Sequence, residues 1–306
     1  MSRFNFRFYA LFAFSIGSIS TCLGQSSDTL FVETPVFEFT RASHLGISPD
    51  GLIYVPDRDR SVVHVFSEDG QHLRRLGGPG LSEGQFDDPR DVDPALGLVI
   101  NVADTENGRV QRFTKEFRFI ESLPVSSNPA EGADETDPSF RTGEAQFKVL
   151  ADGRPIAVSS SPADDLYVVS AQANVVIRWD RERRNKWWIG RPGQGPGSLV
   201  EPVDLLVTQD LLYVADLDCA CVIIYDLFGT YVRTLSEGLL TEIRSVTRTP
   251  NGILTVMPHR LVEFDSTGTR IEETYVQTID SLVDAVKSSS RWILLTERSL
   301  YFVQIH

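Results

Sequence analysis

One histidine and three aspartates fall at the same point of a repeated unit: His44, Asp91, Asp204 and Asp284. Ala157 and Ser245 hold that point in two further copies. Carboxylates and an imidazole gathered round one axis could hold a hard divalent cation, Ca²⁺ being the natural candidate. They could also activate a water, with His44 as catalytic general base. The bland alternative is that the aspartates bond nearby backbone and do no chemistry. One place earlier in each copy stand Ser43, Arg90, Ile156, Val203, Arg244 and Val283. Arg90 and Arg244 could grip a carboxylate, a sulfate or an anionic sugar, or simply pair with acids such as Asp88. The candidate ligand-binding residues are therefore His44, Arg90 and Arg244, and the candidate metal ligands Asp91, Asp204 and Asp284.

These residues share a position only if the chain repeats, and it does. Leu76 to Phe113 and Ile189 to Asp226 follow one plan: a Gly-rich turn, a proline, a strand, a turn, a "VAD" strand and another strand. The most regular column reads Tyr54, Asn101, Tyr167, Tyr213, Thr255 and Leu294, with gaps of 47, 66, 46, 42 and 39 residues. The first strands begin at Ala42, Pro89, Pro155, Pro202, Ile243 and Leu282. Turn signals such as Pro49-Asp50-Gly51 and Pro250-Asn251-Gly252 follow them, where φ must be preset or positive. Short Val-, Ile-, Tyr- and Phe-rich runs at this period, with no helical periodicity, predict a six-bladed β-propeller of four-stranded antiparallel blades. The last copy has three strands before the chain ends. "DTLFVETPVFEFT", residues 28–40, is expected to supply the fourth, which closes the ring and removes open sheet edges.

The stretch "GQFDDPRDV…INVADTENGRVQRF" resembles an NHL repeat, and residues 28 to 306 as a whole resemble six-bladed NHL-type propellers. The likeness is strongest in copies two and four and weakest in five and six. Some NHL-like propellers are amidating lyases with a zinc held by three histidines at strand starts. The matching positions here, Ser43 through Val283, include no histidine, which argues against that activity. Gluconolactonase-type propellers hold a calcium in the channel with acids and an asparagine, a role that Asp91, Asp204 and Asp284 could imitate. No Gly-x-Ser-x-Gly elbow is present, and no Gly-rich loop before a helix. The mature chain's histidines (His44, His64, His72, His259 and His306) show no metal-ligand spacing.

The remaining features bound compartment and partners. Arg3 and Arg7 followed by the apolar run Phe8 to Ile19 read as an export signal, residues 1–24, cut before Gln25. "Ile-Ser-Thr-Cys" ending at Cys22 is the competing lipoprotein reading. The expected location is the bacterial cell envelope: periplasmic, secreted or lipid-anchored, without a transmembrane span. One propeller domain, residues 25–306, carries a polar insert at 126–146 that would be a surface loop or a lid. A net charge of −13 disfavours nucleic acid. Cys219 and Cys221 read as two small hairpin residues, because a bridge between them would close a strained loop. Trp187 and Trp188 point to opposite faces of a strand, one for the core and one for contact. The expected function is a monomeric, non-enzymatic binding module with no cofactor beyond a possible Ca²⁺. It would present a loop face or channel mouth to a protein, peptide or glycan. The alternative is a metal-assisted channel enzyme resembling a lactonase or lyase.

Overall fold

The computed structural model describes residues 28–32, 34–126, 153–184, 186–190, 195–278 and 280–305. The expected leader, Cys22 and the 126–146 insert, apart from Ser126, lie outside the described residues. Among those described there is no helix, and so none long and apolar enough to cross a membrane.

The strands form six sheets, and the molecule is a six-bladed β-propeller. Blade one runs outward through Gly46–Ile47, Ile53–Asp57, Val62–Phe66 and His72–Gly77. Blades two to five repeat that order from inner strands Pro89–Asp93, Pro155–Ser160, Pro202–Val207 and Ser245–Arg248. Blade six places Leu282–Lys287 innermost, then Arg291–Thr296 and Ser299–Gln304. Middle strands such as Ile53–Asp57 and Leu166–Ser170 are buried along their whole length. Each blade is covered on both faces by its neighbours, so these strands are apolar throughout rather than alternating. Ala157, Tyr167 and Val176 of blade three, for example, pack with Leu205, Val214 and Ile223 of blade four.

The aspartates that end "VPD" in blade one and "VAD" in blades two and four hold the blades' connections. Asp57, Asp104 and Asp216 end the second strands of blades one, two and four and are buried. Asp57 accepts the N–H groups of Thr40 and Arg41, Asp104 that of Asp87, and Asp216 those of Val200 and Glu201. Each carboxylate thus satisfies backbone donors of the loop entering its own blade.

Three expectations need correction. Residues 28–40 do not act as one strand. Phe37–Glu38 lies antiparallel beside Ser299–Gln304 as the outermost strand of blade six, while Asp28–Phe31 lies parallel beside Arg270–Gln277 of blade five. Pro35, which has no N–H to give a ladder, stands between them. The inner strand of blade one is only Gly46–Ile47, with an isolated bridge from Ala42 to Asp57, because the N–H of Leu45 goes to Asp284 instead of a neighbouring strand. Cys219 and Cys221 are joined by a disulfide, their Cα atoms 5.2 Å apart. Ala220 between them takes a left-handed φ of 49°, which turns the two side chains toward each other.

Candidate functional site

A bulge at the start of the inner strands sets up the channel. Pairing with the second strand slips between Pro89 and Asp91, Pro155 and Ala157, Pro202 and Asp204, and Leu282 and Asp284. A bulge gives the extra residue no partner and re-aims the side chains around it. The bulged residues Arg90, Ile156, Val203 and Val283 line the strand-start mouth. The next residue on each strand, Asp91, Ala157, Asp204 or Asp284, is buried at the channel wall.

There the aspartates solve a backbone problem. The inner edge of each blade faces the channel and leaves N–H groups without a ladder partner. Asp91 accepts from Val92 on its own strand and from Val158 of blade three, both at 2.6 Å. Asp204 accepts from Val246 of blade five at 2.8 Å. Asp284 accepts from Ala285 and from Leu45 of blade one, both at 2.8 Å, and from the hydroxyl of Ser245 at 2.6 Å. The three carboxylates therefore tie blade two to three, four to five, and six to one.

His44 lies among them. Its Nε2 is 3.0 Å from Asp91 Oδ1 and its Nδ1 is 3.2 Å from Asp284 Oδ2. Its side chain is 17% exposed, against 2% and 0% for those partners. Burial works against the imidazolium, but the charges of Asp91, Asp284 and Asp204 outweigh it and push its pKa up to about 10. Burial, together with the like charges of Asp91 and Asp284, drives Asp204 well above the usual carboxylate range despite the opposing His44 charge. Burial raises Asp284 as well, opposed by His44 and its hydrogen bonds. With a carboxylate oxygen 3.0 Å from Nε2 and another 3.2 Å from Nδ1, the raised pKa favours the imidazolium, a form with no free lone pair for a general base or a metal.

The fit of a divalent cation follows from the same census. Donor atoms of His44, Asp91 and Asp204 lie within 4.8 Å of one another, a spacing that could bracket an ion. Ca²⁺, however, takes about six to eight oxygen ligands. Of the six oxygens of Asp91, Asp204 and Asp284, five accept hydrogen bonds from described residues and Asp204 Oδ1 accepts none. The donor set does not fit Ca²⁺. Among the described residues, the basic side chain that these carboxylates face is His44, whose raised pKa favours the imidazolium.

The His44 layer separates two mouths. The strand-start mouth is a cavity of about 320 Å³ whose lining includes Ser43, Arg58, Arg90, Glu242, Arg244 and Glu297. Arg90 and Arg244 thus lie in one cavity. Arg90 is half-buried and donates to Asp88 at 2.9 Å, and Arg58 grips the same carboxylate with two hydrogen bonds of 2.6 and 3.0 Å. Burial and the neighbouring guanidinium of Arg58 lower Arg90, partly offset by Asp88. Arg244 is exposed, and its guanidinium has no partner among the described residues. The opposite mouth, about 450 Å³, is largely apolar, with Pro94, Leu206 and Val207 beside the exposed Arg248. Arg58 and Arg248 carried no sequence signal, because they sit outside the aligned strand starts.

Other singled-out residues lie elsewhere. Trp187 is 41% exposed with the Arg178 guanidinium 4.8 Å above its ring, while Trp188 packs against the core. His64 and His72, which showed no ligand spacing, meet across neighbouring strands with Nδ1 and Nε2 3.0 Å apart. Burial pushes His64 down to about 4, and the Phe37 ring lies against both histidines, so the pair backs the N-terminal strand.

A scan against protein-family models finds no match, and a search of the curated proteins finds no relative by sequence. Solved structures do share the architecture. The chain is similar to a gluconolactonase from Xanthomonas campestris at 10% identity and a TM-score of 0.63, covering 89% of each chain. It is similar to virginiamycin B lyase from Staphylococcus aureus at 11% identity and 0.58, covering 84% of this chain and 78% of that one. A chain of the nidogen/laminin complex aligns at 13% identity and 0.54, covering 76% and 80%. Identities this low carry the six-bladed propeller and nothing of its chemistry.

Proposed function

We propose that this chain is an exported NHL-type propeller that works as a non-catalytic binding module. The observation that carries the reading is the approach of a carboxylate to each His44 nitrogen, which disfavours His44 as a base or a metal ligand. The ligand contacts then fall to the strand-start mouth. Arg244 offers an exposed guanidinium, and Arg90 stands in the same cavity. A planar guanidinium suits a carboxylate or sulfate in two-point contact. The ligand class is therefore an anionic group on a protein, peptide or glycan. Residues 1–24 serve as the export signal in this reading, and the disulfide suits an oxidising compartment. Isothermal titration with malonate and with sulfate tests it. Binding that Arg244→Ala weakens at least about tenfold supports the mouth, and binding indifferent to Arg244 and Arg90 removes it.

A second reading rests on the convergence of His44, Asp91 and Asp204 donors within 4.8 Å. It makes the channel a metal-assisted site of the kind suggested by the lyase and gluconolactonase among similar structures. His44 would have to give up a proton to serve as a ligand there. Stoichiometric metal in the purified protein, with a melting temperature lowered by EDTA, would favour it over the first.

A further inference from the structure

The disulfide joins residues of a turn whose counterparts in three other blades form without one. The turn between the second and third strands of blade four places Ala220 at φ 49°, one residue before the third strand. Ser61, Gly108 and Asn174 hold the same place in blades one, two and three, at 55°, 63° and 51°. The turn's own hydrogen bond recurs too: Ser61 to Arg58 at 3.2 Å, Gly108 to Thr105 at 3.1 Å and Ala220 to Leu217 at 3.2 Å. None of the other three turns contains a cysteine. In blade four the buried Asp216 carboxylate also accepts the N–H groups of Asp218 and Cys219, at 3.1 and 3.4 Å. Backbone and carboxylate therefore fix this turn whatever the oxidation state of its sulfurs.

The bridge itself adds little to the fold. It spans one intervening residue, and so short a loop removes little entropy from the unfolded chain. A ring that small is also constrained, which favours its opening. The two sulfurs differ in access. Cys221 is fully buried, whereas Cys219 is partly exposed, with its Sγ 3.7 Å from the carbonyl oxygen of Asp216. That carbonyl is a ready acceptor for a Cys219 thiol.

We propose that Cys219 and Cys221 form a redox-active dithiol/disulfide centre that exchanges with an external dithiol while the propeller stays folded. The thiolate of the dithiol attacks Cys219 Sγ, and the bond to Cys221 breaks. Cys221 leaves as a thiolate and takes a proton. The second thiol of the reductant then attacks its own sulfur in the mixed disulfide, releasing Cys219, which is protonated in turn. The protein gains two electrons and two protons, and the dithiol becomes a disulfide. The reverse reaction reoxidises the pair, which the turn keeps in register.

The test incubates the full chain with excess dithiothreitol under native conditions, with alkylation read peptide by peptide so that Cys22 is scored apart. The expected result is alkylation of both Cys219 and Cys221, an unchanged circular dichroism spectrum, and a melting temperature lowered by less than about 3 °C. Reoxidation by oxidised dithiothreitol restores the bridge. In the folded variants, Cys219 of Cys221→Ser is alkylated roughly tenfold faster than Cys221 of Cys219→Ser, as their exposure requires. A bridge that opens only on unfolding, or a reduced chain that loses its sheet spectrum, overturns the proposal.

Discussion

His44 and Asp284 join the first blade to the last: Nδ1 of one lies 3.2 Å from Oδ2 of the other, and the same oxygen accepts the N–H of Leu45. Far out on the same seam, Phe37–Glu38 pairs with Leu300 and Ser299. The seam thus has an ionic contact at the axis and a backbone contact at the rim. His44 Nε2 also lies 3.0 Å from Asp91 Oδ1 of blade two, so one side chain spans three consecutive blades.

Removing that imidazolium leaves Asp91 and Asp284 buried without their cation. His44→Ala is expected to cost about 3–5 kcal/mol, the range for a buried pair broken on one side. Urea denaturation measures it. The loss shrinks in acid, where a carboxyl can take up the proton that His44 no longer supplies. A cost below about 1 kcal/mol at pH 8 would mean that the cluster does not hold the seam.

The raised pKa of His44 makes stability depend on pH with a definite sign. Below about 6.5 both folded and unfolded chains bind the proton, and the contribution is complete. Above that value the unfolded chain loses it first, so stability falls as pH rises, until the folded group itself titrates near 10. Asp204 and Asp284, also raised, act in the same direction over the lower range between their unfolded and folded values. Unfolding free energies at pH 7 and 9 should therefore decline by up to about 1.4 kcal/mol per unit. The slope should flatten in His44→Gln.

Deletion of residues 28–40 strips Phe37–Glu38 from Ser299–Gln304 and removes Phe39 from the packing between blades six and one. An unpaired edge and an opened core favour aggregation. The truncated chain is expected to melt lower and to associate in analytical ultracentrifugation. A soluble monomer with the parent's melting temperature would contradict a closing role for the segment.

At the strand-start mouth, Arg244→Ala is expected to weaken malonate binding by at least about tenfold, the loss of one charge-assisted contact. Arg90→Ala should act similarly but also destabilise, because Asp88 loses one of its two guanidinium partners. Calorimetry of the two variants separates these effects.

Much of this was legible in the residues. The six-fold spacing and the turn signals specified the blades, and "P-x-D-V/L" placed Asp91 and Asp204 at one level with His44. What the aspartates do there was not legible. Their acceptor role depends on which backbone N–H the next blade presents, a relation between strands tens of residues apart. The engagement of both His44 nitrogens is equally tertiary, since Asp91 and Asp284 come from blades on either side. The bridge between Cys219 and Cys221 depended on a positive φ at Ala220, where the side chain gives no hint of one. Pro35 did carry a signal, a break in the N-terminal strand, which the apolar run around it obscured.

The channel carboxylates call for His44 to be held as an imidazolium. The most direct measurement is the ¹⁵N chemical shift of the His44 ring followed from pH 6 to 10, with metal content determined on the same sample. The account predicts that both nitrogens remain protonated at pH 8 and that no stoichiometric metal is present. A neutral His44 ring at pH 7, or one equivalent of a divalent metal whose removal shifts the ring resonances, would contradict it.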